Sequence, residues 1–186
     1  MNYNVLVRNS IKPALGCSKM LRSAAIEDAQ TIATIHVCAW QTAYKGIVPT
    51  PYLDSLSIQE RANMWQTVIS EQHGSVLLAV TPYGEVGFIC FGPSRDKDGK
   101  EKAEVYALYV LPQFWHQGIG RELLEEAERR IADHHFNAFT LWVFEKNAPA
   151  RRFYEARGFR LDTSSKEETI GGLLLTELRY EKKCLT

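Results

Sequence analysis

The chain has 186 residues, 45% of them hydrophobic, and its 22 lysines and arginines balance 22 aspartates and glutamates. A chain of this length can bury one sizeable core, and a neutral charge disfavours nucleic acid or an anionic membrane as the main partner. No apolar stretch approaches the roughly 20 residues that a membrane-spanning helix requires. We therefore expect a cytoplasmic protein that binds neither nucleic acid nor membrane.

The cysteines predict reduced thiols and no metal site. Cys17, Cys38, Cys90 and Cys184 are far apart in the chain and have no Cys-x-x-Cys or Cys-His spacing. Cys38 and Cys90 fall in apolar segments, where a cysteine usually packs as a small hydrophobic residue. We expect no bound metal.

Two regions are predicted, a flexible N-terminal extension over residues 1–19 and one domain over residues 20–183. The extension carries Arg8, Lys12 and Lys19, contains no acidic residue and lacks apolar periodicity. It also lacks the apolar core that a secretory signal requires. The domain is expected to begin with a strand at Met20.

Two helices are predicted after this strand. From Ile26 to Ala43 apolar residues recur at steps of three and four, the spacing of a helix that is buried on one face. Ser57 and Glu60 then have the spacing of a capping box, so a second helix is expected to run towards Gly74.

Strands dominate the rest of the chain. A hairpin is predicted around Pro82 and Gly84, which are typical turn residues between two apolar runs. The polar segment 92–102 that follows is expected to be a solvated loop. The predicted strands are Val76–Val80, Val86–Phe91, Val105–Val110, Ala138–Phe144 and Leu173–Tyr180.

The most informative segment joins the strand 105–110 to an amphipathic helix over 119–131. Pro112 ends the strand, and Gly118 and Gly120 stand at the start of the helix. Because glycine has no Cβ, backbone N–H groups there can approach a ligand closely, and the helix dipole favours an anion. The segment is therefore suited to a pyrophosphate, although a tight turn without a ligand is equally compatible with these residues alone.

Two other nucleotide-binding motifs fit this segment poorly. A P-loop requires Lys followed by Ser or Thr after its last glycine, whereas Gly120 is followed by Arg121 and Glu122. A dinucleotide-binding fingerprint requires a small residue where this chain has Leu123, and an acidic ribose ligand further on. A dinucleotide-binding enzyme is therefore a weak alternative.

The segment resembles the acetyl-coenzyme A binding motif of the GNAT family of N-acetyltransferases. The resemblance extends downstream, where Asn147, Ala150, Tyr154, Gly158 and Phe159 match the family pattern Asn-x-x-Ala-x-x-x-Tyr-x-x-x-Gly-Phe. The chain departs from the family at two positions, with Trp115 in place of Gln or Arg and His116 in place of a frequent Gly. Backbone N–H groups provide most of the phosphate binding in this motif. The two departures therefore remove an auxiliary side-chain contact but keep the backbone donors.

The resemblance implies an α/β (α+β) fold, the GNAT fold, with a central mixed, mostly antiparallel, splayed β-sheet flanked by helices. The strand ending at Val110 would separate from the strand before Asn147, and the pantetheine arm would lie between them. Backbone groups of Leu108, Tyr109 and Val110 would bind that arm. The other cofactor-binding residues implied are His116, Gln117, Gly118, Ile119, Gly120, Arg121, Asn147, Ala150, Phe153 and Tyr154.

The resemblance also implies a reaction, the transfer of an acetyl group from acetyl-coenzyme A to a primary amine by direct attack in a ternary complex. The acceptor would be a small molecule, an amino acid or a peptide. Tyr154 would protonate the departing thiolate. The amine must also lose a proton, and Glu104, on the strand that leads towards the reaction centre, is the candidate base. A water relay in place of Glu104, and a surface role for Glu104, are equally open. Strand alternation would put Glu104, Tyr106 and Leu108 on one face. Acceptor-pocket candidates are Trp40, Tyr44, Tyr52 and Tyr106, although the helical spacing of Trp40 favours a core position for that residue.

A second class of function stays open, a non-catalytic module that binds or senses acyl-coenzyme A. Such a module would keep the phosphate cradle and could lose the acid and the base. The presence of Asn147 and Tyr154 argues against it. Homodimers are common in the resembled family, but no apolar stripe in this chain requires one.

Overall fold

The computed structural model describes residues 19–132 and 134–184, which form one sheet with helices on both faces. The expectations for residues 1–18 lie outside this range. The strands are β1 (Met20–Ser23), β2 (Ser75–Thr81), β3 (Gly84–Pro93), β4 (Lys102–Val110), β5 (Ala138–Phe144), β6 (Arg160–Ile170) and β7 (Leu173–Lys183). The helices are α1 (Ala29–Ala43), α2 (Thr50–Asp54), α3 (Ile58–Ser70), α4 (Ile119–Ala132) and α5 (Ala148–Glu155).

The sheet has the order β1-β2-β3-β4-β5-β7-β6, and every neighbouring pair is antiparallel except β4 with β5. That parallel pair joins only Lys102–Val105 to Ala138–Leu141. Both strands continue beyond it, β4 to Val110 and β5 to Phe144, without pairing to each other. The predicted mixed, mostly antiparallel and splayed sheet is confirmed.

Two hydrophobic cores cover the two faces of the sheet. On one face α4 buries Leu123 and Leu124 against strand residues such as Phe139. On the other face α1 and α3 pack Ile32 and Trp65 onto the sheet. The apolar residues whose spacing predicted these helices form the stripe that each helix buries against the sheet.

A bulge in β4 changes which side chains face which core. Cys90 lies opposite Ala107 and Phe91 lies opposite Val105, so Tyr106 is an extra residue in this strand. Leu108 consequently packs with the α4 core, whereas Tyr106 packs with the α1 and α3 core. The expectation that Glu104, Tyr106 and Leu108 share one face was wrong, because simple alternation does not hold across a bulge.

The helix starts are close to the predicted ones. The backbone N–H of Glu60 donates to the Ser57 hydroxyl oxygen at 3.2 Å, which caps α3 at the expected residue. The first predicted helix starts three residues late, because Ile26–Asp28 form a short 3₁₀ turn before α1. No helix among the described residues is long and apolar enough to cross a membrane.

Candidate active site

An open cavity of about 840 Å³ lies where β4 and β5 separate. Its wall includes the end of α1 with Tyr44, which directly follows the helix, and the loop before α4 with Gly118. Leu108, Tyr109 and Val110 of β4 also line it. Every residue that the sequence assigned to cofactor binding lines this one cavity.

Backbone geometry at the α4 end leaves N–H groups available. His116 and Gly118 have φ angles of +60° and +82°, so the chain turns sharply into the helix. The first helical hydrogen bond runs from the Glu122 N–H to the Gly118 carbonyl at 3.0 Å. The N–H groups of Ile119 and Gly120 therefore have no partner within the helix. This arrangement suits an anion.

Gly120 keeps space open beside these donors. A Cβ built there would meet only Phe153, at 3.6 Å, and Val110, at 3.9 Å, which are ordinary contacts. The protein's own packing therefore does not require glycine, whereas a methyl group would project into the cavity. A bare backbone at this position fits a pyrophosphate that must come close to the helix end.

Lys19 is a residue of this site that the sequence interpretation missed. Its ammonium group donates to the Gln117 carbonyl at 2.7 Å and to a Glu122 carboxylate oxygen at 2.9 Å. The charge of Glu122 in the first turn of α4 is thus balanced by a lysine from the other end of the sequence. No local pattern signals this contact.

Trp115 stands where the acetyl-coenzyme A binding motif that this segment resembles has Gln or Arg. Its indole N–H donates to the Val110 carbonyl at 2.7 Å. The side chain therefore fixes the end of β4 to the loop before α4. One of the backbone groups assigned to the pantetheine arm already has a protein partner.

Tyr154 and Asn147 meet the cavity from α5. The Asn147 side chain caps the helix by accepting the Ala150 N–H at 3.2 Å. Tyr154 is 9% exposed, and its ring packs against Phe153 and Phe159. Burial, with a smaller contribution from Tyr109, raises the pKa of Tyr154 well above its ordinary value. The hydroxyl therefore stays neutral and can donate a proton.

The other end of the cavity is aromatic. The Tyr44 and Tyr109 hydroxyls are 3.1 Å apart, and the Tyr44 ring packs edge-on against Phe144 with 5.1 Å between centroids. Burial raises the pKa of Tyr44, and Tyr109, Tyr154 and Glu177 raise it further. Glu177 of β7 also lines the cavity here, a residue that the sequence interpretation did not single out.

Trp40, Tyr52 and the side chain of Tyr106 lie away from the cavity centre. Trp40 stands behind Tyr44, with their rings edge-on at 4.8 Å. Tyr52 packs against Gly171. Tyr106 belongs to the cavity wall, but its hydroxyl donates to the Pro93 carbonyl and its ring lies under the Arg95 guanidinium at 4.2 Å.

Glu104 does not line the cavity. It is 1% exposed, and one carboxylate oxygen accepts the Arg95 backbone N–H at 2.9 Å. The Arg95 guanidinium binds both carboxylate oxygens. Through these contacts with Arg95, Glu104 anchors the loop after β3. Among the described residues, no cluster of three or more His, Cys, Asp or Glu could hold a metal ion.

The sequence matches the model of a known protein family over most of the described domain. The family model of the acetyltransferase (GNAT) family matches residues 31–159. The chain therefore belongs to the GNAT family of acetyltransferases, and the predicted resemblance is confirmed. The protein is an enzyme of the N-acetyltransferase class.

Known proteins extend this similarity over most of the chain. It is 37% identical to the uncharacterized N-acetyltransferase YuaI of Bacillus subtilis (strain 168) over 137 residues, 73% of this chain and 77% of that protein. It is 26% identical to the spermidine N(1)-acetyltransferase of Thermoplasma acidophilum over 166 residues, 87% of this chain and 97% of that one.

A solved structure of similar shape contains coenzyme A. It is the crystal structure of the PaiA N-acetyltransferase of Thermoplasma acidophilum in complex with coenzyme A, with a TM-score of 0.71 and 26% identity. The alignment covers 89% of this chain and 99% of that one. Acyl transfer with coenzyme A is the chemistry that this family and fold support.

Proposed function

We propose that the protein transfers an acetyl group from acetyl-coenzyme A to a primary amine. The observation that carries the proposal is the loss of pairing between β4 and β5 beyond Val105 and Leu141, next to N–H groups at the start of α4 that have no partner within the helix. The gap offers a strand edge to an extended amide-containing arm, and the helix start offers donors to a pyrophosphate. Coenzyme A has both groups in this order.

Backbone groups do most of the donor binding. Leu108 and Tyr109 offer their main-chain groups along the open edge of β4, and the loop from His116 to Arg121 surrounds the phosphates. Because the Val110 carbonyl already accepts the Trp115 indole N–H, its contribution to the pantetheine arm is the smaller one. Asn147, Ala150 and Phe153 line the cavity on the side of α5.

The thioester supplies the acetyl group when the donor is bound. The amine nitrogen forms the new C–N bond through a tetrahedral intermediate, the C–S bond breaks, the nitrogen loses a proton and the thiolate gains one. A β4 backbone N–H next to the bulge polarises the carbonyl, a type of contact worth about 3 kcal/mol. Tyr154, kept neutral by burial, supplies the proton to sulfur.

The proton of the amine follows a separate route in this mechanism. Glu104 was predicted as its acceptor, but Glu104 does not line the cavity and both its carboxylate oxygens bind Arg95, which favours a structural role. We propose that this proton leaves to solvent at the acceptor mouth of the cavity, the water route that was the alternative to direct transfer.

Titration calorimetry with acetyl-coenzyme A, with NAD as the control ligand, tests the donor. We expect saturable one-to-one binding of acetyl-coenzyme A alone. Gly120→Ala should weaken this binding and leave the thermal unfolding temperature unchanged or raised, because the added methyl group meets only ordinary contacts. Binding of NAD, or equal affinity in the variant, would contradict the proposed cradle.

Thiol release from acetyl-coenzyme A in the presence of primary amines tests the activity. Spermidine belongs in the panel, because a relative is named a spermidine N(1)-acetyltransferase. Amine-dependent release of free coenzyme A supports the transferase. Tight donor binding without release for any amine would instead favour the non-catalytic binding module.

A further inference from the structure

The aromatic end of the cavity, where Tyr44, Tyr109 and Phe144 lie, carries one acidic side chain, and we call it the acceptor end. Among the described residues that line the cavity, Glu177 is the only aspartate or glutamate. It lies in β7 directly opposite Phe144 of β5, and Phe144 packs against Tyr44. A carboxylate thus stands in the cavity wall beside the aromatic pair Phe144 and Tyr44.

Positive charge is concentrated at the other end. Arg121 follows the phosphate loop, and the Arg157 guanidinium lies over the Phe153 ring, which in turn contacts the Gly120 position. The Arg157 Nε is buried and has no hydrogen-bond partner. The cavity therefore has a cationic end suited to phosphates and an anionic end suited to an ammonium group.

A lysine of the protein already pairs with this carboxylate. The Lys166 ammonium lies 3.2 Å from a Glu177 oxygen and 4.3 Å from the centroid of the Trp142 ring. Lys166 and Glu177 are direct cross-strand partners in the β6–β7 hairpin. A carboxylate next to an aromatic face binds cations well. Here the half-exposed Lys166 side chain occupies the site that Glu177 and Trp142 form.

We infer that Glu177 binds the ammonium group of the acceptor, and that the preferred acceptors are amines with no carboxylate beside the amine. Lys166 is the cation next to Glu177, but it is already paired with Glu177 and is not among the described lining residues, so an α-carboxylate would have to break that pair and would approach Glu177. The aromatic walls favour an apolar body on the acceptor. This inference rests on the proposed function.

Phenethylamine and phenylalanine are the matched test, because they differ only in the carboxylate. In the wild-type protein we expect the higher kcat/KM for phenethylamine. Glu177→Gln should raise the KM for phenethylamine roughly tenfold or more, since hydrogen bonds to charged groups are worth about 1.5–3 kcal/mol. It should change the KM for phenylalanine far less, so the preference between the two amines collapses.

Two further variants separate recognition from folding. Glu168→Gln, an exposed change on β6 of the same hairpin, should leave both KM values unchanged. Lys166→Met removes the internal competitor and should lower the KM for phenethylamine. Calorimetry with acetyl-coenzyme A should give the same affinity for every variant, which verifies the fold and the donor site.

A binding measurement makes the inference independent of turnover. Benzyltrimethylammonium, which cannot be acetylated, should bind to the wild-type complex with coenzyme A and bind at least several-fold more weakly to Glu177→Gln. If no amine releases thiol, the proposed function fails, whereas this difference would still support the cation site. If amines are acetylated but Glu177→Gln alters neither the preference nor this binding, the inference is overturned.

Discussion

The buried hydroxyl of Tyr154 gives the most direct prediction for a single residue. Its raised pKa keeps it protonated, and it lines the cavity between the phosphate loop and the Tyr44–Tyr109 pair. Tyr154→Phe should lower kcat roughly 10- to 1,000-fold, because only the proton donor is lost. Steady-state thiol release measures this, and calorimetry should give an unchanged affinity for acetyl-coenzyme A.

Tyr180 provides a matched control for that change. It is also a buried tyrosine, but its hydroxyl donates to a Glu155 carboxylate oxygen at 2.7 Å and it does not line the cavity. Tyr180→Phe should therefore lower stability and leave kcat near the wild-type value. Equal losses of kcat in both variants would assign the effect to packing and remove Tyr154 from the mechanism.

Residues of the donor site could be predicted because their function is local. Gly118 and Gly120 act through the backbone at a helix start, and Asn147 and Tyr154 stand at fixed offsets within one helix, so linear spacing identifies them. Lys19 and Glu177 could not be found this way. Lys19 meets Gln117 across 98 residues of sequence, and Glu177 reaches the cavity only through strand pairing.

Among the elements, β4 departs most from expectation, and the loop before it has contacts that the sequence did not indicate. The bulge at Tyr106 follows from pairing with β3 and has no local signature in an apolar strand. The charged segment after β3 was predicted to be a solvated loop. The segment is a largely exposed loop, with Arg95 and Asp98 more than half exposed, but it is also tied down: Arg95 binds Glu104, and Asp96 and Asp98 bind the buried Arg179 of β7. The Arg179 partner is distant in sequence, so no local pattern signals this contact.

The buried histidine of α1 predicts how stability depends on pH. His36 accepts the Trp65 indole N–H at 3.2 Å and stacks on Tyr109 with 4.9 Å between ring centroids. Burial, with a smaller contribution from Arg61, lowers its pKa from 6.5 to about 3. The unfolded chain therefore binds a proton near pH 6.5 that the folded protein refuses until about pH 3, so stability falls as the pH drops through this window.

Urea unfolding at pH 7 and pH 5 measures this effect, above the range where most carboxylates titrate. His36 alone should contribute a loss of up to about 1.4 kcal/mol for each pH unit below 6.5. His36→Asn retains an acceptor for Trp65 but cannot be protonated, and it should flatten the slope. His73→Asn, a change at an exposed position, should leave the slope as it is. A steep slope in His36→Asn would contradict the assignment.

For the molecule as a whole, apolar periodicity and turn residues were sufficient to predict most of the sheet and the two long helices on its α1 and α3 face. The elements that were missed, α2 and β6, have the weakest hydrophobic patterns. Helix α2 has only five residues and buries only Leu53, and β6 is an edge strand with mostly exposed polar residues. Such elements form because the rest of the fold provides hydrogen-bond partners, here β7 for β6.

The boundary between the N-terminal extension and the domain can now be tested to one residue. Because Lys19 binds Gln117 and Glu122, removing residues 1–18 should leave the affinity for acetyl-coenzyme A unchanged. Removing residues 1–19, or the single change Lys19→Met, should weaken the affinity by up to roughly 5-fold, the range expected for one partly screened charge pair. Calorimetry at constant ionic strength measures the difference.

The role of Lys19 is best separated from a general loss of positive charge by removing its partner as well. Without the lysine, the Glu122 carboxylate faces the phosphates unbalanced, and this repulsion should account for most of the weakening. Lys19→Met combined with Glu122→Gln should therefore restore most of the affinity, whereas Arg121→Met combined with Glu122→Gln should not match it. If the first double variant binds as weakly as Lys19→Met alone, Lys19 acts directly on the donor and the balancing role is wrong.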